Sequence, residues 1–238
     1  EIGSGLVGSE MCIRDRLLSL LSLSAISAQN IQLHYFPNHS INSRMYDKNF
    51  VMVTFDMFKA DKWGSFYTFI DFEFTGEKGR IGTTYWEISR NQNIGDLPVK
   101  LHLEYDGGVT KGGSIPGSYF VGANYPLTIR KFNLGANLSY KIHAFNHISH
   151  DTQLTLTWSG DILKNKLTLC GFIDMWTQNK NTETKSDEGK KFVVLFGPQG
   201  WYNINEKLAF GTKINISYNM LDKNKVFFFP SIAAKWNF

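Results

Sequence analysis

The feature that most constrains the fold is a strict alternation of apolar and polar side chains, which recurs along the chain from Ile31 onward. Between Phe132 and Ala144 every second residue is apolar, and the residues between them are Asn, Gly, Ser, Lys or His. The segment from Leu208 to Met220 has nearly the same pattern. A period of two residues is that of a β-strand, because successive side chains point to opposite faces. With no 18-residue apolar run and no sustained helical period, the sequence predicts an all-β protein.

The length and the polar face of these segments favour a membrane barrel. At about 13 residues each they exceed the usual globular strand of about 5–6 and suit a tilted transmembrane strand of about 9–11 plus its overhang. A face of Asn, Ser, Lys, His and Gly cannot pack as a dry core, which disfavours a soluble sandwich with an aromatic core. We therefore predict a closed antiparallel transmembrane β-barrel, apolar outside and polar in the lumen, because closure leaves no unpaired edge in lipid.

The number of strands and their connections fit this architecture. An even number is usual for bacterial barrels, and about twelve alternating runs begin near Asn30, Asn49, Gly64, Thr83, Leu97, Ser118, Phe132, Thr152, Lys166, Phe192, Lys207 and Lys225. Ten strands are expected if the Ile31 or Phe192 region pairs poorly. Long polar connections, expected outside the cell, are predicted at Pro37–Lys48, Asp106–Gly117 and Asn179–Lys191. Short periplasmic turns are predicted at Lys59–Lys62, Leu127–Lys131, Gly160–Asn165 and Asn203–Glu206.

The two ends of the chain carry export and assembly features. Residues 1–28 are expected to be a non-native leader followed by a signal peptide, because Arg14 and Arg16 precede a short Leu/Ser run that ends in small residues. Residues 29–238 then form one barrel domain. Cys12 lies in the leader, and Cys170 is expected to be a small packed residue. At the other end, Trp236 and Phe238 close an alternating strand that resembles the assembly signal read by the barrel insertion machinery.

Aromatic residues mark the expected membrane interface. At the short-turn end we predict a girdle of rings in contact with outer-membrane lipid, formed by Trp63, Phe132, Trp158, Trp201, Tyr202 and Trp236. Pro198 and Pro230 lie within apparent strands, where proline needs a bulge or a strand end.

Strand parity predicts a lumenal substrate-binding group. Its members are expected to face inward on neighbouring strands: Asp56, Tyr67, Phe69, Asp71, Glu87, Lys100 and His102. Aromatic rings offer stacking surfaces and carboxylates accept hydrogen bonds, which suits a small polar solute with a ring. An equally favoured interpretation is an ion-pair network that fills a narrow barrel, in which Lys100, Lys141 and Lys213 balance the acids. The two interpretations are compatible, since selective channels keep a partly filled lumen.

Several segments resemble the Tsx-like nucleoside-channel group of outer-membrane barrels. They are the second and third strands from Val51 to Asp71, Tyr85–Ser89, the strand beginning at Ser118, and the Trp236–Phe238 terminus. The resemblance implies a channel in the bacterial outer membrane for passive, selective uptake of nucleosides or similar small polar solutes.

Other functional classes are less favoured by the sequence. The net charge of +4 is scattered, so nucleic acid is not an expected partner. No cofactor fingerprint is present, and we expect no cofactor, metal site or catalytic residue. A barrel-embedded enzyme using His102, His143, His147 or His150 lacks a recognisable Ser/His/acid spacing, and a metal site at the last three of these is less expected than a solvated loop. A structural or adhesive barrel is the remaining alternative.

Overall fold

The structure is a computed structural model that describes residues 27–41, 43, 48–143, 150–180 and 189–238. Helical structure in these ranges is limited to one turn at Asn38–Ile41 and a 3-10 turn at Glu77–Gly79. None of the helices in the described ranges has the length and apolar character needed to cross a membrane. The expected leader and signal peptide lie almost wholly outside the described residues.

Fourteen strands are present in the described ranges: β1 Ser27–Phe36, β2 Phe50–Asp61, β3 Gly64–Glu73, β4 Thr83–Asn93, β5 Lys100–Thr110, β6 Gly113–Ile129, β7 Phe132–His143, β8 Asp151–Ile162, β9 Leu167–Asn179, β10 Lys190–Phe196, β11 Gln199–Asn203, β12 Leu208–Tyr218, β13 Val226–Pro230 and β14 Ile232–Asn237. Each pairs antiparallel with its neighbours, and β14 pairs with both β1 and β12, which closes the sheet. Because β10 and β11 are two parts of one barrel strand, as are β13 and β14, the barrel has twelve strands, as predicted.

The two interrupted strands contain the two prolines that the sequence left unexplained. Pro198 lies between β10 and β11, and Pro230 ends β13. Proline has no N–H to donate to a ladder, so each strand breaks at or beside it. On β12, Ile214 N–H donates to the Pro198 carbonyl at 3.0 Å, and the Lys213 carbonyl accepts from Ser231 N–H at 2.8 Å. The two breaks therefore flank Lys213 from opposite sides.

The two faces of the barrel have the predicted polarity. On β1 the side chains of Ile31, Leu33 and Tyr35 are exposed on the outside, whereas Gln32 and His34 are buried in the lumen. The same alternation repeats around the barrel, and it gives an apolar outer surface suited to lipid. The lumen also contains an apolar cluster that the sequence did not predict, formed by Phe172, Trp176, Val193 and Leu195.

The predicted long connection at Asp106–Gly117 is wrong. β5 continues to Thr110 and β6 begins at Gly113, so residues 111–112 form a tight turn. The glycines of this segment make room for a ring, since a Cβ at Gly107 or Gly117 would lie 2.7 Å from the Tyr105 hydroxyl oxygen. At the turn, Lys111 Nζ lies 2.7 Å from Glu77 Oε1 and lowers the pKa of that carboxyl.

The remaining connections follow the predicted asymmetry where they are described. Short turns occupy residues 62–63, 130–131, 163–166 and 204–207, and we call this the short-turn end of the barrel. The opposite end carries the connection at 37–49 and the one between β9 and β10. Most of the Asn179–Lys191 connection, residues 181–188, lies outside the described residues.

The predicted aromatic girdle is wrong at one residue. The side chains of Trp63, Tyr202 and Trp236 are 60%, 51% and 44% exposed and point outward. Trp201 is fully buried and packs inside the lumen with Cys170. Neighbouring residues of a regular strand point to opposite faces, so Trp201 and Tyr202 cannot both contact lipid. Cys12 lies outside the described residues.

Candidate functional site

Carboxyl groups and lysines face each other across the lumen. Most of the lumenal carboxyl groups lie on β2 to β5, and we call this set the acidic wall: Asp56, Asp71, Glu73, Glu87, Glu104 and Asp106. Asp151 and Asp174 lie outside it, on β8 and β9. Lys213 on β12 interacts electrostatically with Asp71, Glu87, Asp56 and Glu73. Since β14, β1 and β2 separate β12 from β3 around the barrel, this attraction spans the lumen. It corresponds to the ion-pair network that the sequence offered as one interpretation.

Neighbouring hydroxyls and amides hold the buried carboxyl groups of the predicted site. Asp56 accepts hydrogen bonds from the Tyr67 hydroxyl at 2.9 Å and from Asn30 Nδ2 at 3.3 Å. Glu87 accepts from the Tyr85 hydroxyl at 2.9 Å, and Asp71 accepts from Thr54. Such bonds offset the cost of removing polar groups from water.

Phe69 is buried between the rings of Tyr67 and Tyr85, beside the acidic wall. It points into the lumen as strand parity predicts, and its side chain has no exposed surface. Its ring centre lies 6.1 Å from that of Tyr67 and 6.0 Å from that of Tyr85. Phe69 therefore supports the positions of the two tyrosines, and Tyr67 is the ring of this group that borders open space.

A cavity of about 470 Å³ opens at the short-turn end of the lumen. It is lined by the ends of β2 to β8: Phe58, Ala60, Gly64, Ser65, Tyr67, Ser89, Asn91, Lys100, His102, Glu104, Asn124, Pro126, Leu127, Thr128, Asn133, Leu134, Gly135, Asn137, Thr157, Trp158 and Ser159. The structure thus divides the predicted group in two. Tyr67, Lys100 and His102 line the cavity. Asp56, Asp71 and Glu87 lie outside its lining in the hydrogen-bonded network, and Phe69 is packed among the rings beside them.

Polar contacts across neighbouring strands fix the orientation of the cavity side chains. His102 has Nδ1 at 2.8 Å from Asn91 Oδ1 and Nε2 at 3.2 Å from Glu104 Oε2. Asn124 Nδ2 donates to Asn137 Oδ1. The sequence analysis did not single out these asparagines. The alternation of side chains along each strand shows that these asparagines face inward. It does not show which residues they contact, because those contacts depend on the pairing of β4 with β5 and of β6 with β7.

A second lysine compensates the other acidic side chains. Lys141 Nζ lies 4.9 Å from the Phe120 ring centre and 5.0 Å from that of Trp176, and it donates to Gln153 Oε1 at 3.1 Å. It interacts electrostatically with the carboxyl groups of Asp106, Asp174, Glu104 and Asp151. Glu87, Glu104 and Asp106 each bring one oxygen within 4.8 Å of the others, and this group belongs to the same ion-pair network. Lys100, predicted to balance the acids, forms no ion pair with another described residue and faces the cavity.

The histidines considered for catalysis make local polar contacts. His143 Nδ1 lies 3.2 Å from Ser118 Oγ, and Nε2 lies 3.8 Å from Asp151 Oδ2. The latter distance exceeds that of a hydrogen bond, and Asp151 Oδ1 is engaged by Lys190 at 2.9 Å. Ser118 and His143 are directly paired across β6 and β7, which accounts for their contact. His150 contacts the Tyr140 hydroxyl, and His147 lies outside the described residues.

The fold is similar to that of solved porins. The NanC porin aligns with a TM-score of 0.57 at 9% identity, over 88% of this chain and 99% of that one. A structure described as KdgM porin in complex with disordered oligogalacturonate aligns with a TM-score of 0.50 at 6% identity, over 90% of this chain and 99% of that one. These likenesses show a porin-type barrel fold. A search of curated proteins finds no match.

A family model covers almost the whole described barrel. It matches residues 28–238, from the second residue of β1 to the last residue of the chain, and its description is "Domain of unknown function (DUF5020)". The chain belongs to the DUF5020 family.

Proposed function

We propose that the protein is a passive channel of the bacterial outer membrane for small polar solutes. The observation that carries the proposal is the lumen itself, in which an acidic wall faces Lys213 inside a barrel with an apolar outer surface. The porin-type fold supports the membrane location. A lumen lined by fixed polar groups replaces part of a solute's hydration shell, and this is how selective pores discriminate.

The distribution of charge favours uncharged or dipolar solutes over ions. Most lumenal carboxyl groups lie on β2 to β5, but Asp151 and Asp174 lie on β8 and β9. The buried lysines lie on β7, β12 and β14, so fixed charges of both signs create a strong local field in the lumen. A dipolar solute can orient in such a field, whereas an ion of either sign meets fixed charges that repel it. Oligogalacturonate, named in the KdgM porin structure, is acidic and would approach the carboxyl groups of the acidic wall here. We therefore propose that the channel prefers neutral solutes to acidic saccharides.

Nucleosides are the solute class that we propose within this group. Support comes from the resemblance of the Val51–Asp71 segment to Tsx-like channels and from the position of Tyr67 on the cavity. Stacking of a base on an aromatic ring contributes about 1–3 kcal/mol in other proteins. Such weak binding suits a channel, because the solute must leave as readily as it enters.

The test is conductance of the purified protein in planar bilayers, with and without uridine or adenosine. We expect open-channel current that falls when the nucleoside is added, and a weaker block in Tyr67→Ala. Tyr125→Ala is the matched control, since Tyr125 is 47% exposed on the outer face. If the protein conducts but the nucleoside does not reduce the current, the assignment of nucleosides as the solute is wrong and the channel function stands. Absence of conductance removes the channel and favours a structural or adhesive barrel.

A further inference from the structure

We infer that the cavity at the short-turn end is a binding site for an uncharged polyhydroxylated ring, such as a neutral sugar or the sugar of a nucleoside. The inference rests on the proposed channel function and names the chemistry that one part of the lumen recognises. It differs from the site predicted by strand parity, because most of that group lies outside the cavity.

The size and position of the cavity suit a small ligand. Its volume of about 470 Å³ falls within the range of about 300–1,000 Å³ usual for small-molecule pockets. The lining comes from seven consecutive strands, β2 to β8. Side chains that project from strands are held more rigidly than those on loops, so the polar groups of this cavity keep their relative positions.

Amide groups supply both hydrogen-bond donors and acceptors to the cavity. Because Asn124 Nδ2 donates to Asn137 Oδ1, the pair presents its other atoms, the Asn124 carbonyl oxygen as acceptor and the Asn137 amino group as donor. Asn91 uses its carbonyl oxygen on His102, which leaves its amino group as a donor. A sugar hydroxyl both donates and accepts, and it is the ligand group that matches such a mixed lining.

The charged residues of the cavity balance one another. Glu104 lies 3.2 Å from the His102 ring, and Lys100 adds one positive charge to the same lining. A ligand carboxylate in this cavity is attracted by Lys100 and repelled by Glu104, and a ligand ammonium meets the reverse. The lining contains no arginine, the residue best suited to bidentate binding of carboxylate or phosphate. An uncharged ligand avoids both repulsions.

An apolar surface completes the site. Phe58 lines the cavity beside Tyr67 and packs against the cluster of Tyr67, Phe69 and Tyr85. The ring of a sugar has an apolar face of C–H groups, and aromatic side chains bury such a face while their neighbours bind the hydroxyls. The cavity thus offers one aromatic side and one amide side to a single ring.

The test is a ligand-observed NMR titration of the purified barrel in detergent micelles. The probes are glucose, its acidic counterpart glucuronate, its cationic counterpart glucosamine, and uridine. We expect millimolar binding of glucose and uridine, and binding of both charged sugars weaker by at least threefold. Asn137→Ala removes one donor and should weaken glucose binding about threefold to tenfold. Asn215→Ala is the matched control, because Asn215 lies on β12 outside the cavity.

Folding of each variant is checked by its heat-modifiable mobility on gels, and Ser89→Ala replaces Asn137→Ala if the latter does not fold. Tighter binding of glucuronate or glucosamine than of glucose overturns the inference, as does equal weakening by Asn137→Ala and Asn215→Ala. Binding of uridine without glucose overturns it too, since the base would then be recognised. If the barrel conducts but binds none of the probes, the proposed sugar site is wrong and the proposed channel function stands. If the barrel binds glucose but does not conduct, the proposed channel function is wrong and the proposed sugar site stands.

Discussion

Lys235 on β14 holds its ammonium nitrogen 4.3 Å from the centre of the Trp201 ring on β11, across the intervening β12. The same indole and the His34 ring on β1 form a T-shaped pair, with ring centres 5.9 Å apart. A cation over an aromatic face contributes about 0.5–2 kcal/mol. These contacts connect three parts of the barrel and keep the largest aromatic side chain of β11 inside the lumen.

The first prediction concerns the side of the barrel on which Trp201 lies. Brominated lipids quench tryptophans that touch the bilayer core or its interface. Trp201→Phe should leave the quenched part of the intrinsic fluorescence unchanged, because Trp201 is buried in the lumen. Trp236→Phe is the matched control and should reduce that part, because Trp236 is 44% exposed on the outer face. A larger loss in Trp201→Phe than in Trp236→Phe would place Trp201 in lipid.

Strand positions and faces were predictable because the two-residue period is a local property. The predicted starts at Gly64, Thr83 and Phe132 coincide with those of β3, β4 and β7. The predicted inward direction of the side chain was also correct for six residues, all of which are buried in the lumen: Asp56, Tyr67, Phe69, Asp71, Glu87 and His102. A strand buried on one face leaves its side chains little freedom to change sides.

The hairpin and the cavity were not predictable, because they depend on contacts between distant residues. The glycine-rich segment around Gly107 and Gly117 has the composition of a loop, and only the packing of the Tyr105 ring shows why it is extended. Likewise, Asn91 reaches His102 because these two residues are directly paired between β4 and β5. The sequence shows that both face inward and does not show that they meet.

The second prediction concerns ion selectivity. Lys213 interacts with Asp71, Glu87 and Asp56, so its removal takes away one of the positive charges that compensate the acidic wall. Lys213→Gln should raise the permeability of K⁺ relative to Cl⁻, measured as a shift in reversal potential across a salt gradient. Lys223→Gln removes a charge from the exposed β12–β13 connection and should shift it much less. Equal shifts of the reversal potential in the two variants would show that Lys213 does not determine the ion selectivity of the lumen.

The third prediction concerns the lipid-facing surface. Leu33 is 52% exposed at an outward position within β1. An arginine on the lipid face near the bilayer midplane costs roughly 2–4 kcal/mol, and the cost falls towards the interfaces. Leu33→Arg should therefore lower the urea midpoint for unfolding from liposomes. Leu97→Arg is the control, because Leu97 lies in the connection at 94–99 and is already 62% exposed. Equal stability of both variants would argue against a membrane belt at β1.

The last prediction concerns the chain terminus. Phe238 N–H donates to the Gln29 carbonyl at 3.1 Å, which extends the seam between β14 and β1 by one bond, and its side chain is 69% exposed. We predict that Trp236 and Phe238 form the signal read by the insertion machinery. Deletion of Phe238 should then lower the amount of protein in the outer membrane several-fold, measured by immunoblot of membrane fractions.

Folding and recognition can be separated because the ring of Phe238 contributes little to the seam. Phe238→Ala keeps the backbone bond to Gln29 and loses only the exposed ring, whereas Phe238→Tyr keeps both. If the ring is the signal, Phe238→Ala should reach the outer membrane as poorly as the deletion, while Phe238→Tyr resembles the original chain. All three should refold in detergent with nearly the same urea midpoint, since a single exposed hydrogen bond contributes about 1 kcal/mol. If the deletion variant also fails to refold in detergent, Phe238 would instead be a structural residue of the seam between β14 and β1.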